Sequence, residues 1–269
     1  VRPRVVASDL DGTLLDPSGQ VSDRTRAALR RVWSLGVETV FVTARPPRWL
    51  DGLAGDVGGH GIVLCGNGAF EYDVRSCRVQ RTVGFERSVM AQLLVDLREA
   101  LPGIGFAAEC ADGSHAERAY PEYLPDCKPA DLLVDTMEHL PHDITVGKLL
   151  GRLPAMDPEA FLAAVCAVVA DRAVVAYSGA AGLAEISPLG VTKAIALERW
   201  CAERGFGPDD VWAFGDMPND LPMLGWAGTS YAVANAHPEV LAAATRHCPS
   251  NADDGVAQVL EQVGGEATI

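Results

Sequence analysis

The stretch Arg4-Val5-Val6-Ala7-Ser8-Asp9-Leu10-Asp11-Gly12-Thr13 constrains the fold more than any other part of the chain. A short apolar run stops at two carboxylates one residue apart, and Gly-Thr then reads as a tight turn. Ser22-Asp23 follows as a helix N-cap, and residues 24–35 repeat apolar side chains at Ala27, Ala28, Leu29, Val32 and Leu35 with helical spacing. Gly36 ends that helix, and residues 37–42 form a second apolar run. Strand, helix and strand in this order make a β-α-β unit and hence a parallel sheet. Such sheets bind ligands at the carboxyl ends of their strands. Residues i and i+2 of a strand share a face, so Asp9 and Asp11 are expected to converge at such an end. Two adjacent carboxylates repel unless a cation sits between them, and Mg²⁺, a hard ion that bridges to phosphate, is the economical choice.

Along the rest of the chain, residues 61–65 predict a third strand closed by Gly66-Asn67-Gly68, and 71–74 with 78–83 a hairpin. From about residue 82 the pattern changes. A helix over 85–101 precedes strands over 104–109 and 115–120 about a turn at Asp112-Gly113. Then come a stretch with Pro121, Pro125 and Pro129, a strand over 145–153, and a helix over 157–170 capped by Asp157. A second hairpin joins 173–177 to 183–186 around residues 178–182. Helices mixed with antiparallel strands read as an α+β module. Past Pro188 the α/β rhythm returns, with helices over 192–204 and 238–244, strands over 211–214 and 230–233, and a helical turn over 219–224. The expected architecture is a discontinuous α/β core, residues 1–81 and 188–269, holding an inserted α+β domain, residues 82–187.

Hydrophobic residues make up 48% of the 269, enough for a sizeable core. The net charge of −14 argues against nucleic acid as a partner, whereas one small phosphate ester is acceptable if local cations receive it. The seven cysteines are scattered, odd in number and without C-x-x-C, which argues against disulfides or a zinc site and for a reducing cytoplasm. Each reads most simply as buried packing. No signal peptide is expected, and the longest apolar run, residues 161–170, is far short of the ~20 residues that span a bilayer. A membrane is therefore not an expected partner.

Further loaded residues stand at strand ends or helix starts: Thr43 in Phe41-Val42-Thr43-Ala44-Arg45, Lys193 after Gly190-Val191-Thr192, and Asp216, Asn219 and Asp220 in Gly215-Asp216-Met217-Pro218-Asn219-Asp220. Each alone is ordinary, a cap, a turn or a surface lysine. Together, at one sheet edge, they suit phosphoryl transfer. That chemistry needs charge neutralisation and positioning, a carboxylate nucleophile, a second carboxyl group to move protons, and Lys and Thr to hold oxygens.

These residues together resemble the haloacid dehalogenase (HAD) superfamily of aspartyl-phosphate phosphatases, most closely its Cof-type group, subfamily IIB. Residues 8–15, Thr43, Lys193 and 215–220 look like its four motifs. Asn67-Gly68-Ala69, Ala234-Asn235-Ala236-His237-Pro238 and the stretch from Ser250 to Ala257 are similar too. The resemblance implies a Rossmann-like parallel-sheet core with an α+β cap that reads the leaving group. It implies Asp9 as nucleophile and metal ligand, and Asp11 as general acid/base that also binds Mg²⁺ through its backbone carbonyl. Asp216 would be the remaining metal ligand. Thr43, with the backbone at Leu10 and Ala44, would hold the phosphoryl group, as would Asn219. Lys193 would neutralise charge, and Asp220 would support Lys193 or a metal-bound water. Ala44 departs from the family's usual Gly-Arg. The implied activity is a Mg²⁺-dependent phosphatase of small phosphorylated metabolites, sugar phosphates or phosphorylated cofactors. A phosphomutase or phosphotransferase, a phospho-accepting switch and a non-catalytic phosphate-binding regulator remain open. His139 and His142 read as a surface loop. His115, Arg118 and Lys148 read equally as substrate contacts or as exposed polar residues on a sheet, and the five tryptophans as packing.

Overall fold

The computed structural model describes residues 2–50, 52–120, 132–176 and 182–264. Cys127, the three prolines Pro121, Pro125 and Pro129, and most of the turn expected over 178–182 lie outside them. In chain order the elements are β1 (Val5–Ser8), α1 (Asp23–Ser34), β2 (Glu38–Val42), α2 (Leu53–Asp56), β3 (Ile62–Cys65), β4 (Phe70–Asp73) and β5 (Arg78–Thr82). Then follow α3 (Arg87–Ala100), β6 (Gly105–Cys110), β7 (Gly113–Glu117), β8 (Leu132–Val134), β9 (Val146–Arg152), α4 (Pro158–Val169), β10 (Ala173–Ala176) and β11 (Leu183–Pro188). The chain continues with α5 (Lys193–Ala202), β12 (Val211–Gly215), α6 (Leu221–Trp226), β13 (Thr229–Val233), α7 (Pro238–Ala243), β14 (Arg246–Cys248) and α8 (Gly255–Leu260). They divide into two compact units. One comprises the described residues of 1–45, 49–80 and 192–269, the other those of 46–48 and 81–191.

The first unit is built on a sheet in the order β14-β13-β12-β1-β2-β3-β4-β5. From β14 to β3 every pair is parallel, and β4 runs antiparallel to β3. The central strand β1 is buried along its whole length, which is why it reads as Val-Val-Ala-Ser without alternation. Helix α1 starts where Ser22 Oγ accepts the Thr25 N–H at 3.0 Å, and it buries the stripe Thr25, Ala28, Leu29 and Val32.

The second unit has a sheet in the order β10-β11-β9-β6-β7-β8, antiparallel except for β7 and β8. One face packs on α3 and α4 through Phe106, Ala108, Leu149, Ile186, Leu93 and Phe161. The other carries charge, yet it is not the exposed polar face that alternation suggests. Lys148 is only 4% exposed and its Nζ donates to Glu185 at 2.7 Å, while buried Glu109 accepts from Arg48 at 2.8 Å. His115 is buried too, but it is paired with Ala108 of the helix-packed face and lies 3.3 Å from Asp112, and of these residues only Arg118 is exposed. Buried Glu117 accepts from the Phe106 and Met137 N–H groups and from Arg98, so its desolvation is met by hydrogen bonds.

Four short elements, β8, β14, α2 and α8, lie outside the sequence expectations. β8 presents exposed Leu132 and Leu133, and only Cys248 of β14 is buried, so three-residue edge strands show no period to read. Cys77 and Cys166 are exposed and not buried, the first in the β4–β5 turn with φ +52, the second on the outer face of α4. His139 and His142 are exposed. Among the described residues no helix is long and apolar enough to cross a membrane.

Candidate active site

The carboxyl ends of β1, β2 and β12 and the start of α5 meet in the first unit. The Asp9 N–H donates to the Phe214 carbonyl at 3.0 Å, which ties the end of β1 to β12. Beyond it, residues 10–14 make one wide turn, closed by the Leu15 N–H on the Leu10 carbonyl at 2.9 Å. Gly12 sits there with φ +81, and a Cβ at this position would meet Asp216 Oδ2 at 2.4 Å. Only glycine supplies both the left-handed backbone and the space. Thr192 caps α5 by accepting the Ile195 N–H at 3.2 Å, and that cap sets Lys193 as the first residue of the helix.

Lys193 Nζ donates to Asp9 Oδ1 at 2.5 Å and to Asp220 Oδ1 at 2.6 Å, and all three groups are buried. The other oxygen of Asp220 accepts the N–H groups of Asp216 and Met217 at 3.1 and 3.0 Å. Asp216 Oδ1 accepts the Thr13 hydroxyl at 2.7 Å. Asp9, Asp216 and Asp220 each offer an oxygen within 4.8 Å of the others.

Three carboxylates around one ammonium leave the site short of positive charge. Burial, with Asp220 and Asp216 beside it, pushes the Asp9 carboxyl up to about 8 although Lys193 pulls the other way. Burial also raises Asp216, with Asp220 adding to it. At Lys193 burial disfavours the ammonium, but the charges of Asp9 and Asp220 outweigh it and the group is raised. An all-oxygen donor set with surplus negative charge fits a hard divalent cation. Both oxygens of Asp220 are committed to Lys193 and backbone, which leaves Asp9 and Asp216 as the side chains to hold it.

Asp11 does not converge with Asp9. The strand ends at Ser8, so the two-residue alternation that would align them has already stopped. The Asp11 side chain is 56% exposed and is gripped by Arg45, at 2.5 and 2.8 Å. Thr43 is buried, with its hydroxyl accepting the Arg45 N–H at 3.1 Å and its own N–H donating to Leu64. Ala44 is half-buried beside it, Leu10 is fully buried, and Asn219 is exposed on the turn Pro218–Asp220.

The sequence reading missed Arg45 as the partner of Asp11, and it missed a two-asparagine clamp. Asn235 Nδ2 donates to the Gly12 carbonyl at 2.8 Å while its Oδ1 accepts the Asn251 N–H at 2.9 Å. Asn251 Nδ2 in turn donates to the Leu15 carbonyl at 2.8 Å, and the His237 N–H to the Asp216 carbonyl at 2.8 Å. The available signal was an asparagine just past a strand and another at the start of a turn.

A sequence model of the haloacid dehalogenase-like hydrolases matches residues 6–260. The chain is 28% identical to 5-amino-6-(5-phospho-D-ribitylamino)uracil phosphatase YitU of Bacillus subtilis, over 97% of each chain. It is 26% identical to pyridoxal phosphate phosphatase YbhA of Escherichia coli, over 96% of this chain and 97% of that one. The crystal structure of a haloacid dehalogenase-like hydrolase from Bacteroides thetaiotaomicron superposes with a TM-score of 0.78 at 24% identity, covering 97% of this chain and 100% of that one. With a match that runs from β1 to α8, the chain belongs to the haloacid dehalogenase-like hydrolases, in its Cof-type branch, and has their α/β core fold.

Proposed function

We propose that this hydrolase, a phosphatase like its named relatives, cleaves small phosphorylated metabolites with Mg²⁺ through an aspartyl-phosphate on Asp9. The observation that carries the reading is the buried Asp9 carboxylate, held by Lys193 beside Asp216 in a pocket short of positive charge. Asp9 and Asp216, with the Asp11 backbone carbonyl, would hold Mg²⁺, which when bound supplies charge neutralisation for the phosphoryl group.

An Asp9 oxygen attacks phosphorus, the ester P–O bond breaks, and the leaving alkoxide takes a proton from Asp11. Water then attacks the phosphoryl group, gives a proton to Asp11, and the Asp9–phosphorus bond breaks to release inorganic phosphate. Asp11 must leave Arg45 to move protons, so the Arg45 pair reads as its resting position. Thr43 and the backbone at Leu10 and Ala44 hold phosphoryl oxygens, as does Asn219. Lys193 fixes Asp9 and offsets its charge, and Asp220 fixes Lys193. We assign the choice among esters to residues 82–187, the cap of this reading. The named relatives act on pyridoxal phosphate and on a phosphoribitylamino-uracil, which favours phosphorylated cofactors and their precursors as substrates. Six free cysteines among the described residues favour work in the cytoplasm.

The test is phosphate release from p-nitrophenyl phosphate and a panel of phosphorylated metabolites, with and without Mg²⁺. Turnover that needs Mg²⁺ and Asp9 is expected. No release from any ester, or full release by the Asp9→Asn variant, would overturn the reading.

A further inference from the structure

We propose that the first unit carries a second anion site, at the sheet edge opposite the catalytic residues, for a small ligand bearing a phosphate group. The catalytic residues stand at the carboxyl ends of the parallel strands. β3 is parallel to β2, so its start, Gly58-Gly59-His60-Gly61, lies at the other edge. β4 runs antiparallel with Asp73 opposite Ile62, which brings the β4–β5 turn to the same edge. There a cavity of about 470 Å³ is walled by Arg30 of α1, Arg75 and Cys77 of that turn, and Gly58 and Gly59. This volume falls within the range of small-molecule sites.

The charge is opposite to that of the molecule. In a chain of net charge −14, the described walls of this cavity hold two guanidinium groups and no carboxylate. Among the described residues neither side chain has an ion-pair or hydrogen-bond partner, whereas Arg24 and Arg26 of the same helix each grip a carboxylate. Both Arg30 and Arg75 are exposed. Planar guanidinium forks match the oxygens of a phosphate group.

Behind this wall, and not lining the cavity itself, lies His60. It is only 7% exposed, and both ring nitrogens are buried with no hydrogen-bond partner among the described residues. Burial, with Arg30 and Arg75 nearby, lowers its pKa, so the ring is neutral and presents one donor and one acceptor. Leaving such groups unpaired is costly, and a native protein keeps few of them. Trp33 stacks on the ring, 4.5 Å between centroids and 10° from parallel, and holds it in place. Gly58 stands between the ring and the cavity. A Cβ on it would lie 3.3 Å from His60 Nε2 and 3.0 Å from Arg30 Cγ, so glycine here lets the arginine and the ring pack close behind the wall.

Cys77 reports on the site, because its thiol lies in the wall and is exposed, and exposed Cys166 of the second unit serves as the reference. The full chain, with turnover blocked by Asp9→Asn, is alkylated with iodoacetamide and both cysteines are followed by peptide mass spectrometry. Millimolar inorganic phosphate or glycerol phosphate is expected to slow Cys77 several-fold and leave Cys166 unchanged, and chloride at equal ionic strength is expected to do neither. Stronger protection by the ester marks an organic phosphate as the ligand, and equal protection marks free phosphate. Arg30→Gln with Arg75→Gln should abolish protection, and in an otherwise wild-type chain should leave p-nitrophenyl phosphate turnover unchanged, which also reports that the variant folds. A Cys77 rate indifferent to phosphate, equal protection by chloride, or protection that survives the double variant would overturn the proposal. The readout needs no turnover, so it stands or falls apart from the catalytic reading.

Discussion

Two lysines are buried to the same degree, Lys193 in the first unit and Lys148 in the second, each 4% exposed. Lys148 lies on a sheet face where cations and carboxylates are matched, Lys148 with Glu185 and Arg48 with Glu109. Lys193 lies between Asp9 and Asp220 with Asp216 close by, three carboxylates to one ammonium. A matched buried pair satisfies itself and reads as architecture. A buried surplus of one sign is stable only with a partner that comes from outside, and that marks chemistry. Arg30 and Arg75 differ from the paired arginines of α1 in having no carboxylate beside them among the described residues, but they are exposed and not buried.

The comparison is broken most severely at Asp9. Asp9→Asn keeps the shape and removes the proposed nucleophile, so turnover of p-nitrophenyl phosphate should fall on the order of 10⁴-fold or more. The far-ultraviolet circular dichroism should be unchanged. A variant with a tenth of the wild-type rate would mean that the surplus charge serves something other than attack on phosphorus.

The matched side is broken by Lys148→Met, which leaves Glu185 buried without its ammonium. The expected loss is about 3–5 kcal/mol, read from urea unfolding. Replacing both partners, Lys148→Met with Glu185→Leu, should recover most of it. If the double variant is as unstable as the single one, the pair has a role beyond mutual neutralisation.

A smaller effect should follow from opening the asparagine clamp. Asn235→Ala removes the donor to the Gly12 carbonyl and the acceptor for the Asn251 N–H. The turn that carries Asp11 then loses its outer support, and kcat should fall roughly 10-fold with KM little changed. Asn235→Asp keeps the acceptor and should fall between the two. Equal kcat in all three proteins would show that the turn holds its shape without the clamp.

The convergence of Asp9, Thr43, Lys193 and Asp216 at one sheet edge, the edge proposed as catalytic, was legible because each follows a change of period. Asp9, Thr43 and Asp216 come directly after apolar strands, and Lys193 comes directly after a capping Thr. The Asp11 orientation was not legible, because the alternation rule holds only as long as the strand does and β1 ends three residues earlier. The clamp was not legible because Asn235 and Gly12 are 223 positions apart in the chain. On the second unit's sheet, the strands were legible but their buried charges were not. Alternation could not show that Lys148, Glu185 and Glu109 are buried, since that depends on what lies over them and on which charges happen to be opposite. Arg48 is set among the residues of the second unit by the fold, although it stands three positions after Arg45.

The smallest expected effect separates the two lysine environments by pH. In metal-free protein the Asp9 carboxyl rises from 3.8 to about 8 on folding. Below about pH 4 it is protonated in both folded and unfolded chains and contributes nothing to their difference. As pH rises from there through about 8 the unfolded chain gives up this proton and the folded one keeps it, so stability falls across that window and levels off above it. Asparagine cannot ionise, so Asp9→Asn removes this slope. Chelator-treated Asp9→Asn should therefore melt above wild type near pH 8, and the gap should close toward pH 4. Adding Mg²⁺ to wild type should narrow the gap at pH 8, because a cation supplies the charge that the three carboxylates lack. Parallel melting profiles for the two proteins would show that Lys193 alone balances the site, and the distinction from Lys148 would then be one of position only.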